Sequence, residues 1–116
     1  MSEDKRLFHI TSSEEWAQAR AQGSYVPQDY AREGFIHCSF IGQYLKVANI
    51  RFVGRGDLVL LEIDRARLGC EVIEENLEGG QELFPHIYGA LEIAAVTAVH
   101  KFPCNQDGCF SEVPGL

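Results

Sequence analysis

Phe84-Pro85-His86-Ile87-Tyr88-Gly89 places a fixed backbone, an imidazole, a phenol and a glycine within six consecutive residues. Pro85 fixes φ and has no N–H to donate, so it belongs at the start of a strand or on an edge. In an extended chain the side chains alternate. His86 and Tyr88 then share one face while Ile87 points to the other. Gly89 ends the strand, either with positive φ or by letting another group approach the backbone closely. The stretch reads as a strand with a polar wall on one side and a core residue on the other.

The pattern recurs at His9-Ile10-Thr11 and His37-Cys38-Ser39, each at the end of a predicted strand. Three of the four histidines therefore sit in a His-x-hydroxyl unit. Strands brought together in one cleft would line it with His9, Thr11, His37, Ser39, His86 and Tyr88. His100 lies outside the pattern and reads as a structural histidine.

Working outward, the apolar run over residues 58–63 predicts a central strand. Residues 6–11 predict the first strand, with Phe8 and Ile10 on the core face. Ser12 with Glu15 three residues later is a capping-box pattern, so a helix follows to about Gln22, Trp16 and Ala19 facing inward and Gly23 ending it. Residues 23–34 have no clear period and read either as a functional loop or as a single helical turn plus linker. Residues 35–38 predict a short strand, and Ser39 is placed to cap the next helix. There Ile41, Leu45, Ala48 and Phe52 recur at helical spacing, and Phe40, Tyr44 and Val47 widen the apolar stripe. Arg55-Gly56-Asp57 is a turn before a strand rather than an adhesion signal.

Residues 64–68 resemble one helical turn, 71–75 a half-exposed strand and 76–81 a flexible loop. A strand from about Val96 to Phe102 ends at Pro103. Asp107-Gly108 turns the chain into a short last strand over 109–113. The sum is α+β, with two early helices packed on a mainly antiparallel β-structure.

At 116 residues the chain is one domain, 1–116. Hydrophobic residues make up 46% and charged ones 23%, the balance of an ordinary globular protein. The net charge of −7 counts against nucleic acid as the main partner, because phosphate neutralisation drives that binding. No apolar run is long enough to span a membrane, and residues 1–6 do not read as a signal peptide, so a cytoplasmic location is expected. Cys38, Cys70, Cys104 and Cys109 are then expected as thiols. Cys104 and Cys109 flank a turn with no second pair nearby, and no metal is assigned to them.

Gly34-Phe35-Ile36-His37-Cys38-Ser39 together with the opening stretch resembles the small bacterial domain-of-unknown-function family 952, over nearly the whole chain. That family is in turn distantly similar to the ADP-ribosyltransferase fold, a split β-structure that clamps NAD between two sheets. The resemblance implies an NAD-type cofactor or substrate. In such enzymes an early-strand His followed two residues later by Thr or Ser holds the nicotinamide-side ribose, and His9-Ile10-Thr11 matches this. It implies His9, His37, His86 and Tyr88 as catalytic candidates and His9, Thr11, Ser39, Pro85 and Tyr88 as cofactor-binding ones. Tyr88 would be the stacking aromatic. Glu62, Glu82 and Glu92 are candidates for the carboxylate that supports an oxocarbenium-like transition state, and none lies in an identifying motif. His37-Cys38-Ser39 resembles the second histidine strand of RNA phosphotransferases of that fold, but the acidic charge counts against RNA.

Three readings follow. The chain acts on or binds NAD or an ADP-ribose-type nucleotide, with hydroxyls and imidazoles fixing the sugar. Alternatively it is a binding module without chemistry, gripping a small polar ligand. The third is a metal-dependent hydrolase with His9, His37 and His86 as a three-imidazole site, although no i, i+4 pair supports it.

Overall fold

In a computed structural model of the chain, which describes residues 6–76 and 80–116, the apolar run Leu58–Ile63 forms β4. It lies between β1 (Leu7–Ser12) and β8 (Val96–Lys101), antiparallel to both. This central position explains the unbroken hydrophobic sequence, because the sheet is covered on both faces. On one face Leu7, Val59, Leu61 and Ile63 pack with Trp16, Tyr25, Ile36 and Ile87. On the other Phe8, Ile10, Leu58 and Leu60 pack with Tyr44, Val47, Ala48, Phe102 and Phe110. The expectation of one core face on β1 is corrected accordingly. Leu7 is as deeply buried as Phe8, and its face carries His9 and Thr11 into a packed layer.

A second three-stranded sheet has the order β3 (Ile36–His37), β6 (Phe84–Tyr88), β5 (Glu71–Glu75), all antiparallel. A two-stranded ribbon pairs β2 (Ser24–Tyr25) with β7 (Leu91–Glu92). In the second sheet His37 stands opposite His86 and Ile36 opposite Ile87, so both imidazoles share a face as alternation predicts. Pro85 is on the middle strand rather than an edge. Its carbonyl accepts from Cys38 N at 3.0 Å, so its missing N–H faces the same place. There the chain is already leaving: Ser39 exchanges two backbone bonds of 2.8 Å with Phe8 and bridges onto β1. The segment from Ile36 to Ser39 thus crosses from one sheet to the other. Gly89 serves close approach rather than positive φ, since a Cβ there would lie 2.7 Å from Cys70 Cβ.

Helix α1 (Ser13–Gln22) begins and ends as its sequence predicts. Ser12 Oγ accepts from Glu15 N at 3.1 Å, and Gly23 adopts φ 89°. The aperiodic segment contains one helical turn, α2 (Tyr30–Glu33), closed by Gly34 at φ 82°. Three α-helices therefore replace the two expected. The last, α3 (Tyr44–Arg51), begins five residues beyond Ser39, too far along the chain for that side chain to cap it. Gln43 instead folds back to accept from Phe40 N at 3.0 Å.

Turns of 3-10 helix occupy Arg65–Arg67, as predicted, and Ile93–Ala95. The expected strand over 109–113 does not form. Side chains of α3 meet the backbone there: Phe110 N donates to Asn49 Oδ1 at 2.6 Å, and Val113 N donates to Tyr44 Oη at 2.9 Å. With those groups satisfied, the segment needs no partner strand. The predicted loop over 76–81 falls partly outside the described residues. Among the described residues no helix is long and apolar enough to cross a membrane.

Candidate functional site

A cleft of about 510 Å³ opens where the crossing segment passes from one sheet to the other. Its wall includes His9 and Thr11 from β1, His37 and Ser39 from the crossing, Tyr25 from β2 and Phe35. Glu15 reaches it from the first turn of α1, Asp29 and Glu33 from around α2, and Arg51, Phe52 and Arg55 from the end of α3 and the loop beyond. Two of the three His-x-hydroxyl units therefore meet in one cavity. The third does not: His86 and Tyr88 lie outside the lining, and His86 is buried to 1% exposure. The expectation of six residues on one wall is corrected to four.

The third unit still reaches the cleft, through contacts behind it. Phe35 stacks on His86 with ring centroids 4.0 Å apart and planes at 15°. His86 Nδ1 lies 2.8 Å from Glu75 Oε2, and Tyr88 Oη donates to the same oxygen. A carboxylate only accepts, so His86 carries its proton on Nδ1. In that tautomer its Nε2 accepts from His37 Nδ1 at 3.3 Å. The line Glu75–His86–His37 thus fixes the ring of the cleft histidine. Hydrogen bonds from Tyr88 and then His86 hold the Glu75 carboxyl below the usual carboxylate range. The bond to Glu75 is also the main cause that pushes Tyr88 up to about 12.

A second line runs through the cleft wall. His9 Nδ1 donates to the His37 carbonyl at 2.6 Å, and His9 Nε2 is 2.8 Å from Tyr25 Oη. Tyr25 Oη is 3.1 Å from Thr11 Oγ1, which is 2.6 Å from Glu15 Oε2. Burial lowers the pKa of His9, partly offset by its bond to the His37 carbonyl and the charge of Glu15. Burial raises that of Tyr25 beyond any physiological range.

The three carboxylates singled out from sequence are engaged elsewhere. Glu62 meets Arg6 at 3.2 Å and His100 at 3.1 Å; Glu82 meets Lys46 and Gln43; Glu92 accepts from Gly69 N at 3.1 Å. None lines the cleft. Glu15 and Glu75 take their places near the histidines, and sequence reading missed both in this role. Glu15 was legible only as half of a capping box. Its backbone N–H does bond Ser12, but its carboxylate turns to Thr11 instead of closing the box. Glu75 carried no signal beyond its place in a half-exposed strand. Tyr25 and Phe35 were also missed, although Phe35 is part of the second motif.

The three-imidazole metal reading has no geometric footing. His9 spends both ring nitrogens on His37 and Tyr25, and His86 spends both on Glu75 and His37. Among the described residues no three ligating side chains converge as a metal site.

Fold and site define a small α+β protein with histidine-bearing strands at the seam between two antiparallel sheets. Residues 10–99 match the model of a family described as Protein of unknown function (DUF952), and the chain belongs to that family. It is similar to protein CC0527 from Caulobacter crescentus. The crystal structure of that protein is 32% identical, with a TM-score of 0.83 over 92% of this chain and 94% of that one. Its solution NMR structure is 33% identical, with a TM-score of 0.79 and 90% of each chain covered. No curated protein matches the chain. The likeness to the ADP-ribosyltransferase fold gains no support from these matches.

Proposed function

We propose that the cleft binds a nucleotide of the NAD or ADP-ribose type. The observation that carries this reading is the meeting of His9-x-Thr11 and His37-x-Ser39 in one cavity with four aromatics, four carboxylates and two arginines at its wall. Its volume of about 510 Å³ falls in the range of small-molecule and cofactor sites. Each part suits a part of such a ligand. Hydroxyls hydrogen-bond ribose, Arg51 suits a pyrophosphate beside Arg55, which Asp57 already holds at 2.9 and 3.0 Å, and Phe35 or Phe52 suits a flat ring. Cleavage of the N-glycosidic bond would build positive charge on the ribose, and Glu15 is the carboxylate to stabilise it.

A non-catalytic binding module is the second reading. It is favoured by one observation: Thr11 already holds one oxygen of the Glu15 carboxylate at 2.6 Å.

Thermal-shift titrations with NAD, ADP-ribose and AMP, on wild type and Phe35→Ala, test binding. A ligand that binds only the folded state raises Tm with the logarithm of its concentration. The expected result is a shift with NAD or ADP-ribose that is weakened in the variant. Release of nicotinamide from NAD then separates enzyme from binding module. No shift with any of the three ligands would end the nucleotide reading.

A further inference from the structure

The chain His9–Tyr25–Thr11–Glu15 invites a count of protons. It has three polar contacts, at 2.8, 3.1 and 2.6 Å, and each holds one hydrogen when made. The Tyr25 and Thr11 hydroxyls supply two. The His9 Nδ1 hydrogen is committed elsewhere, because the His37 carbonyl 2.6 Å away can only accept. A third hydrogen must therefore come from one end, from His9 Nε2 or from the Glu15 carboxyl.

Both placements give a complete chain. With the proton on Nε2, every bond points from His9 toward Glu15. With it on Glu15, every bond points back. One proton passed along each contact converts the first arrangement to the second without moving a heavy atom. A neutral His9 facing an ionised Glu15 leaves the chain one hydrogen short. The gap then falls at the Tyr25–Thr11 contact, the longest of the three, where two oxygens would meet lone pair to lone pair.

We propose that these four side chains form a proton wire that shares a single proton between buried His9 and Glu15, and that Glu15 exchanges this proton with ligand in the cleft. The chemistry it fits is general acid–base catalysis on a hydroxyl or a water held there. In the uptake direction, once the wire has given up its proton, the ligand O–H bond breaks and a Glu15 O–H bond forms. When that hydrogen faces Thr11, transfer along the wire breaks it and forms Nε2–H on His9, each hydroxyl giving one proton and receiving one. Delivery runs in reverse. Glu15 is the exchanging group, and Thr11, Tyr25 and His9 position and store the proton. The wire is complete within the protein, so it stands independently of the nucleotide reading.

The surroundings favour internal exchange. His9 is packed among Tyr25 of β2, His37 of β3 and Leu61 of β4, with Glu15 of α1 as the charge that acts on it. Asp29 acts on Tyr25 and Arg55 on Glu15. Burial disfavours a charged imidazole.

The test uses the whole chain without ligand. The His9 ring nitrogens and the Glu15 carboxyl carbon are followed by NMR across a pH titration, in wild type, Tyr25→Phe and Thr11→Val. In wild type both signals should change with a common midpoint, as groups coupled by more than about one pK unit do. Either substitution cuts the wire and should part the two midpoints by about one pH unit or more. Tyr25→Phe keeps the ring in the core, and Thr11→Val serves should that variant misfold. Separate midpoints in wild type, or a common midpoint that survives both substitutions, would overturn the proposal.

Discussion

Replacing Tyr25 by Phe removes one oxygen from the centre of the cleft wall and leaves the packing in place. The Tyr25 side chain is 2% exposed, and its ring lies 6.5 Å from Trp16 and 5.3 Å from His9, contacts that Phe retains. What is lost is the bond to His9 Nε2 at 2.8 Å and the contact with Thr11 at 3.1 Å. Thr11 keeps Glu15 at 2.6 Å and is not stranded. The His9 nitrogen is left unmatched, in a part-buried place on the cleft wall. A net hydrogen bond contributes about 1 kcal/mol, and leaving a buried polar atom unmatched costs about 1–3 kcal/mol.

The expected loss is therefore about 2–3 kcal/mol, or roughly 8–12 °C in Tm for a domain of this size. Urea denaturation near neutral pH is the assay, with the midpoint falling and the slope unchanged. A cycle with Thr11→Val should show non-additivity of at least about 0.5 kcal/mol, because the two hydroxyls touch. A loss below about 0.5 kcal/mol with additive variants would refute the reasoning, since the lost hydrogen bond alone contributes about 1 kcal/mol.

Stability should also fall on acidification. Burial depresses the His9 pKa in the folded state, so the unfolded chain takes up its proton first, below about pH 6.5. Above that pH His9 adds no dependence. Between about 6.5 and the lower folded value it should remove at most about 1.4 kcal/mol per pH unit, and denaturation midpoints of wild type and His9→Phe across that window measure it. Ser12→Ala should cost about 1 kcal/mol by deleting the cap on α1, read by the same denaturation curves. Gly89→Ala should cost about 1–3 kcal/mol by driving a methyl against Cys70, and adding Cys70→Gly should recover part of the loss.

The local sequence determined the main features that depend on near neighbours. The run Leu58–Ile63 could only be a buried strand, Ser12 and Gly23 bounded α1, and the alternation of His86, Ile87 and Tyr88 settled which residues share a face. The same alternation put His9 with Thr11 and His37 with Ser39, and the fold brings those pairs to one cavity.

The remaining decisions belonged to contacts between distant segments. Whether 109–113 became a strand depended on Asn49 and Tyr44 satisfying its backbone from another element. Ser39 lost its cap role because α3 starts at Tyr44, beyond the stretch in which Ser39 bridges to Phe8. His86 and Tyr88 went behind the wall because β6 is the middle strand of its sheet, covered on that face by Phe35. The carboxylates were the least legible. A Glu has no local pattern that marks its partner; Glu15 and Glu75 became site residues only when folding set Thr11 and His86 within hydrogen-bond reach. Periodicity records which way a side chain points, and the tertiary structure alone decides what it meets there.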